Sequence, residues 1–169
     1  LEIITQIYLT ENRIPQRIGN RYESVYPYDS FKTKDGDMVI GAGNDKLFAM
    51  CCDVMGTPEL VKDERFNSNP NRVKNHADLK PLVEKWSTTL TTEEAVEKLL
   101  QAGCPAAPIN TIDKLVSDPH IADAREMFVE VDHPKAGKLK LTGSHIKFSD
   151  TKAGVRTPAP LLGKYNGEV

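Results

Sequence analysis

Ile3, Ile4, Ile7 and Tyr8 share one face of a helical wheel, so the pattern of apolar positions opens the chain on a helix. The apolar rhythm then stops. "ENRIPQRIGNRY" is polar and basic, is broken by Pro15 and Gly19, and reads as a loop. Val25 to Phe31 and Met38 to Ala42 are strand-like, with Asp35-Gly36 between them as a hairpin turn in which the glycine accepts positive φ. Helical spacing returns at Leu47, Phe48, Cys51, Val54 and Met55, and Gly56 follows as a natural stop. Thr57 then caps a further turn, with Pro58 at the first position, where its missing N–H removes nothing.

Lys62 to Lys74 reads as polar connection with one apolar anchor, Phe66. The helix after it starts at Asn75 or at Asp78 and runs to about Trp86. From Asp78, Pro81 falls in the first turn; from Asn75, one backbone hydrogen bond is lost. "TTEEAVEKLLQAG" is the clearest helix of the chain. Thr91 and Glu94 have capping-box spacing, Ala95, Val96, Leu99 and Leu100 form the apolar stripe, and Gly103 ends it. "CPAAPIN" is extended, because each proline pushes its predecessor out of helical space. Two short helices, "TIDKLVS" and "DPHIADAR", the second capped by Asp118, lead into strands around a Pro-Lys-Ala-Gly turn. Strands at both ends of a block of helices predict an α+β fold, with a mostly antiparallel sheet covered by helices on one side.

The totals narrow the class. A chain of 169 residues is one domain by size, and 39% hydrophobic with 27% charged residues is ordinary for a soluble globular protein. A net charge of -2 speaks against a general nucleic-acid binder. No apolar run approaches the ~20 residues of a membrane-spanning helix, and no signal peptide is visible, so the expected setting is cytoplasmic. Leu1 is not a start methionine, and the chain reads as a piece cut at both ends. Cys51, Cys52 and Cys104 cannot all pair with one another, and reduced thiols are the plain reading.

Candidate chemistry is sparse. His76, His120, His133 and His145 show no metal-ligand spacing, and the cysteines complete no such set, so no metal site is expected. No nucleophile elbow, phosphate loop or dinucleotide fingerprint occurs. Glu93, Glu94 and Glu97 lie on the outer face of their helix. The loop "NRIPQRIGNRY" stands apart. Arg13, Arg17 and Arg21 recur every fourth residue with no acid among them, and Gly19-Asn20 adds a mobile, donor-rich backbone. Such a segment either approaches an anionic ligand or is a solvated linker. No catalytic residue emerges from the chain itself.

The order of several motifs carries more than any one of them. "RIGNR", "YPYDSFKTKDGDMVIGAGNDKLF", "LVKDERFNSNPNRVKN", "LLQAGCPAAPINTIDKLVSDPHI" and "PAPLLGKYNGEV" together resemble the central and later part of the class III CoA-transferases, the family of formyl-CoA transferase and the carnitine CoA-transferase often labelled L-carnitine dehydratase. The resemblance runs from Arg17 onward. It implies a small domain inserted into a large α/β domain, and an interlocked homodimer. Residues 1–21 would then be a connecting helix and loop, 22–156 the small α+β domain, and 157–169 a connector back to a large domain. The resemblance also implies an aspartate nucleophile in that large domain, upstream of this chain. Coenzyme A esters and small carboxylates would be the substrates, with no further cofactor, no nucleic acid and no membrane partner. Arg17, Gly19, Asn20 and Arg21 would border the substrate.

Two departures qualify the match. Lys164, Tyr165 and Asn166 replace the family's usual Glu-His-Thr before its next helix. Formyl-CoA transferases carry a glycine run in the loop before the hairpin, and this chain has only Gly19-Asn20 there. That points away from formyl or oxalyl transfer and towards a carnitine-type or other acyl transferase, this chain alone being inactive. Two other readings stand beside it: the same domain of an α-methylacyl-CoA racemase, which works by proton abstraction, and a non-catalytic interaction module. Ile3, Ile4, Ile7, Leu161 and Leu162 would meet the large domain in either enzyme.

Overall fold

A computed structural model describes residues 2–167; Leu1, Glu168 and Val169 lie outside the described residues, and with them the helix start expected beyond Asn166. The chain divides into two compact units, Leu1–Ile109 and Asn110–Val169. Helices and antiparallel strands mix in both, so the α+β expectation holds.

The first unit begins with α1 (Glu2–Glu11) and continues into the hairpin β1 (Tyr28–Lys32) and β2 (Asp37–Gly41). A third strand, β3 (Ala106–Pro108), joins the free edge of β2, and all pairings are antiparallel, with Tyr28 opposite Gly41 and Val39 opposite Ala107. Alternation buries Asp29 and Phe31 from β1 and Met38 and Ile40 from β2 on one face. Tyr28 and Val39 stay exposed on the other.

Between β2 and β3 the chain builds α2 (Asp45–Met55), a 3-10 turn (Pro58–Lys62), α3 (Asn69–Lys74), α4 (His76–Ser87) and α5 (Thr92–Gln101). Phe48, Cys52, Leu79, Val83, Ala95 and Leu99 from these helices close with the buried sheet face into one core. The helix ends follow the expected chemistry. Asn44 Oδ1 accepts the Leu47 N–H at 2.9 Å, Gly56 ends α2 at φ 70, and Thr91 and Glu94 form a complete capping box on α5. The Glu94 carboxylate is held below its ordinary pKa by the N–H and hydroxyl of Thr91.

Five sequence expectations need correction. Lys62 to Lys74 is not plain connection, because it contains α3 and a fully buried Arg72. An arginine in a polar stretch looks solvated; here Tyr26 O and Asp45 Oδ1 from distant elements, and the nearer Phe66 O, converge on it. Gly36 does not take positive φ; a Cβ there would stand 3.1 Å from Thr92 Oγ1, so a larger residue must push that hydroxyl back by a few tenths of an ångström. Leu100 leaves the core stripe and is 54% exposed, since the burying arc of α5 ends at Leu99. Thr57 makes no side-chain cap; its hydroxyl is buried without a partner. Finally, Cys51 and Cys104 are joined as a disulfide with Cα atoms 6.2 Å apart, leaving Cys52 buried and free. The fold brings together two residues 53 positions apart, a proximity that local spacing does not reveal. Pro81 lies inside α4, which starts at His76, and the backbone oxygen it leaves unpaired is that of exposed Ala77.

The second unit carries α6 (Ile112–Ser117), one π-helical turn (His120–Ala124) and the hairpin of β4 (Phe128–His133) and β5 (Gly137–Thr142). Phe128 pairs with Thr142 and His133 with Gly137, whose φ of 71 closes the turn. None of the described residues of this unit is buried, and Ile112, Phe148 and Leu162 are largely exposed. Among the described residues no helix is long and apolar enough to cross a membrane.

Candidate functional site

Asn12 stops α1 by turning to φ 51 while its N–H donates to Tyr8 O at 2.9 Å. Residues 13–18 then run without helical structure. The fourfold spacing of the arginines therefore produces no stripe. Arg13 turns to Glu23 and to Glu11, the latter at 3.0 Å, and these carboxylates hold its guanidinium above its ordinary pKa. Arg17 and Arg21 go elsewhere. Both line a cleft of about 710 Å³ in the first unit, together with Ile3 and Ile4 of α1 and with Gly19, Tyr22 and Glu23.

Three of the four expected site residues, Arg17, Gly19 and Arg21, thus border one cavity. Asn20 does not. Its side-chain amide donates to Ser30 Oγ at 3.0 Å, on β1. Gly19 sits at φ 74 in the tight turn, and a Cβ added to it would meet nothing within 4 Å. Backbone conformation, not space, is what requires glycine there. Among the described residues no carboxylate pairs with Arg17 or Arg21; Arg21 makes only long contacts, to Tyr22 O at 3.4 Å and Glu23 O at 3.5 Å. Two guanidinium groups outside any ion pair, beside isoleucine side chains and with Glu23 as the one carboxylate among the lining residues, make a cleft suited to an anion with an apolar portion.

Sequence reading missed Glu23, which lines the cleft and has Oε2 buried without a hydrogen-bond partner. Its signal was only its place two residues after Arg21. Two of the histidines have structural surroundings. His76 Nδ1 lies 3.0 Å from Val73 O with its ring against Tyr26, and His133 Nδ1 accepts the N–H groups of Lys135 and Ala136. Among the described residues no three His, Cys, Asp or Glu side chains converge as metal ligands.

Residues 2–166 match CoA-transferase family III. The chain belongs to that family. This family III chain is 37% identical over 156 residues to an acyl-CoA transferase of Fusarium pseudograminearum, covering 91% of the chain and 34% of the relative. It is 32% identical over 170 residues to the succinyl-CoA:glutarate CoA-transferase of Homo sapiens, covering 100% of the chain and 38% of the relative. In structure it superposes on a CaiB/BaiF family protein from Brucella suis with a TM-score of 0.82 and 30% identity, covering 98% of this chain and 42% of that one. The chain therefore spans a little over a third of the length of these curated relatives.

Proposed function

We propose that this chain is the small domain of an acyl-CoA:carboxylate CoA-transferase and closes over an active site whose nucleophilic aspartate lies outside it. The family match across residues 2–166 carries the reading. The names of the relatives favour transfer over racemisation, and the succinyl-CoA:glutarate enzyme favours a short dicarboxylate over carnitine as acceptor. Exposed apolar side chains at both ends, Ile3 and Ile4 in one unit and Leu162 in the other, fit a chain that packs against further protein. The full-length enzyme is read as a cytoplasmic, interlocked homodimer that uses the CoA thioester as substrate and no further cofactor.

The chemistry is stepwise acyl exchange. The aspartate carboxylate attacks the thioester carbonyl, the C–S bond breaks, and CoA leaves as thiolate from a mixed anhydride. The thiolate then attacks the aspartyl carbonyl, which releases the donor acid and leaves an aspartyl-CoA thioester. An acceptor carboxylate attacks that thioester, again expelling the thiolate, which finally takes the acceptor acyl group and frees the aspartate. Both anhydrides are destroyed by water, so the site must be covered. The Arg17 to Arg21 loop is assigned that cover, with Arg17 and Arg21 facing anionic groups.

Hydroxylamine trapping tests the reading in the full-length enzyme. Incubated with succinyl-CoA, the enzyme should yield an adduct on a carboxylate outside residues 1–169, and the isolated chain should release no CoA. An adduct inside the chain, or turnover by the chain alone, overturns the assignment.

A further inference from the structure

The side-chain amide of Asn20 is bonded to β1. The Asn20 Nδ2 to Ser30 Oγ hydrogen bond of 3.0 Å spans ten residues and ties the Gly19-Asn20 turn to the middle of the strand. A second tie lies beside it, where the Tyr22 N–H donates to Tyr28 O at 2.8 Å and the two rings stand 5.3 Å apart. Ser30 is itself held. Its N–H donates to Asp29 Oδ1 at 2.7 Å, and its carbonyl accepts from Lys80 Nζ, on α4, at 2.7 Å. Lys80 Nζ also pairs with Asp29 Oδ2 at 2.9 Å, and Asp29 is only 7% exposed.

We infer that Ser30 is a positioning residue: its hydroxyl holds Asn20 and so fixes the Gly19 turn at the edge of the cleft, with Lys80 and Asp29 anchoring the strand beneath. The inference rests on the proposed role of the loop as a cover. The physical basis is that this bond acts where the turn is thinly packed, with the Tyr22 to Tyr28 tie as its neighbour. A Cβ at Gly19 would have no neighbour within 4 Å, and Asn20 is exposed, so side-chain packing does little to hold the loop at these two residues. A hydrogen bond between neutral side chains is modest in water, but here it selects one loop position among several.

The test uses the full-length enzyme and measures succinyl-CoA hydrolysis, as free CoA released without acceptor, against transfer to glutarate. Ser30→Ala and Asn20→Ala should each raise the ratio of hydrolysis to transfer by about fivefold, the population change that loss of one such bond permits. Ser30→Thr, which keeps the hydroxyl, should restore the ratio, and the melting temperature should move little in all three. A merely structural serine would lower the melting temperature and leave the ratio unchanged, which overturns the inference. Gly19→Val separates the two levels of the argument. If it raises the ratio while Ser30→Ala does not, the positioning role fails and the cover stands; if neither changes it, the cover itself is wrong.

Discussion

Arg72 Nε donates to the backbone oxygen of Tyr26 at 2.8 Å, from a guanidinium with no solvent exposure. The same group donates from Nη1 to Phe66 O at 3.0 Å and from Nη2 to Asp45 Oδ1 at 2.8 Å, and lies 4.5 Å from the centre of the Phe48 ring. One side chain thus ties the segment before β1, the segment before α3 and the first turn of α2. Asp45 is 68% exposed, so the ion pair itself contributes little. The two buried carbonyls matter more.

Arg72→Met should therefore destabilise the fold by about 3 kcal/mol, chiefly by leaving those carbonyls without donors. Arg72→Lys should lose most of the same stability, because one ammonium cannot reach three acceptors arranged around a planar fork. Urea unfolding of both variants checks this; a lysine variant as stable as the parent would show that charge alone suffices.

Leu99 and Leu100 are neighbours in sequence with opposite roles, at 0% and 54% exposure. Leu99→Ala should cost about 2–5 kcal/mol, with the cavity included. Leu100→Ala should stay within about 0.5 kcal/mol. Thermal or chemical denaturation of the pair reads the difference directly, and equal losses would place the burying face of α5 wrongly.

That pair also marks how far the sequence could be read. Element types, the Gly56 stop and the Thr91–Glu94 box were legible, because helix ends and alternation are written in adjacent residues. What escaped depends on long-range approach. Arg72 is buried against Tyr26, 46 residues away, Gly36 stands close to Thr92, and Cys51 meets Cys104 across 53 residues. The loop was singled out by composition, and Arg17, Gly19 and Arg21 do share a cleft. The link from Asn20 to Ser30 is not legible in the sequence, because it joins residues ten positions apart across a turn.

Cys52 is fully buried, and burial, with Asp53 adding to it, pushes its thiol pKa up to about 12. The thiolate is the reactive form, so the native protein should resist iodoacetamide at pH 8 and react at Cys52 only once unfolded in urea. Because the folded value is raised, the stability that comes from keeping the thiol neutral is complete below the ordinary thiol pKa. It drains as pH rises from there towards about 12. Cys52→Ala should flatten that alkaline limb of the stability profile. Rapid labelling of Cys52 under native conditions would contradict its burial.

Arg17 offers the sharpest test of the cleft. It lines the cavity beside Ile3, Ile4 and Gly19, and among the described residues it has no carboxylate partner to lose. Arg13 lies four residues away and is already engaged by Glu11 and Glu23. If Arg17 faces an anionic group of substrate, Arg17→Gln in the full-length enzyme should raise KM for the dicarboxylate or its CoA ester. The expected rise is about tenfold, the scale of one hydrogen bond to a charged group. The parent KM should rise with ionic strength, and the variant's should rise less, because one screened attraction has been removed. Arg65 serves as the comparison, since it pairs with Asp63 at 2.7 Å on the surface of the same unit, away from the cleft. Arg65→Gln should leave KM and its salt dependence where they were. If Arg17→Gln behaves like Arg65→Gln, the guanidinium is solvated and the cleft binds no anion through it.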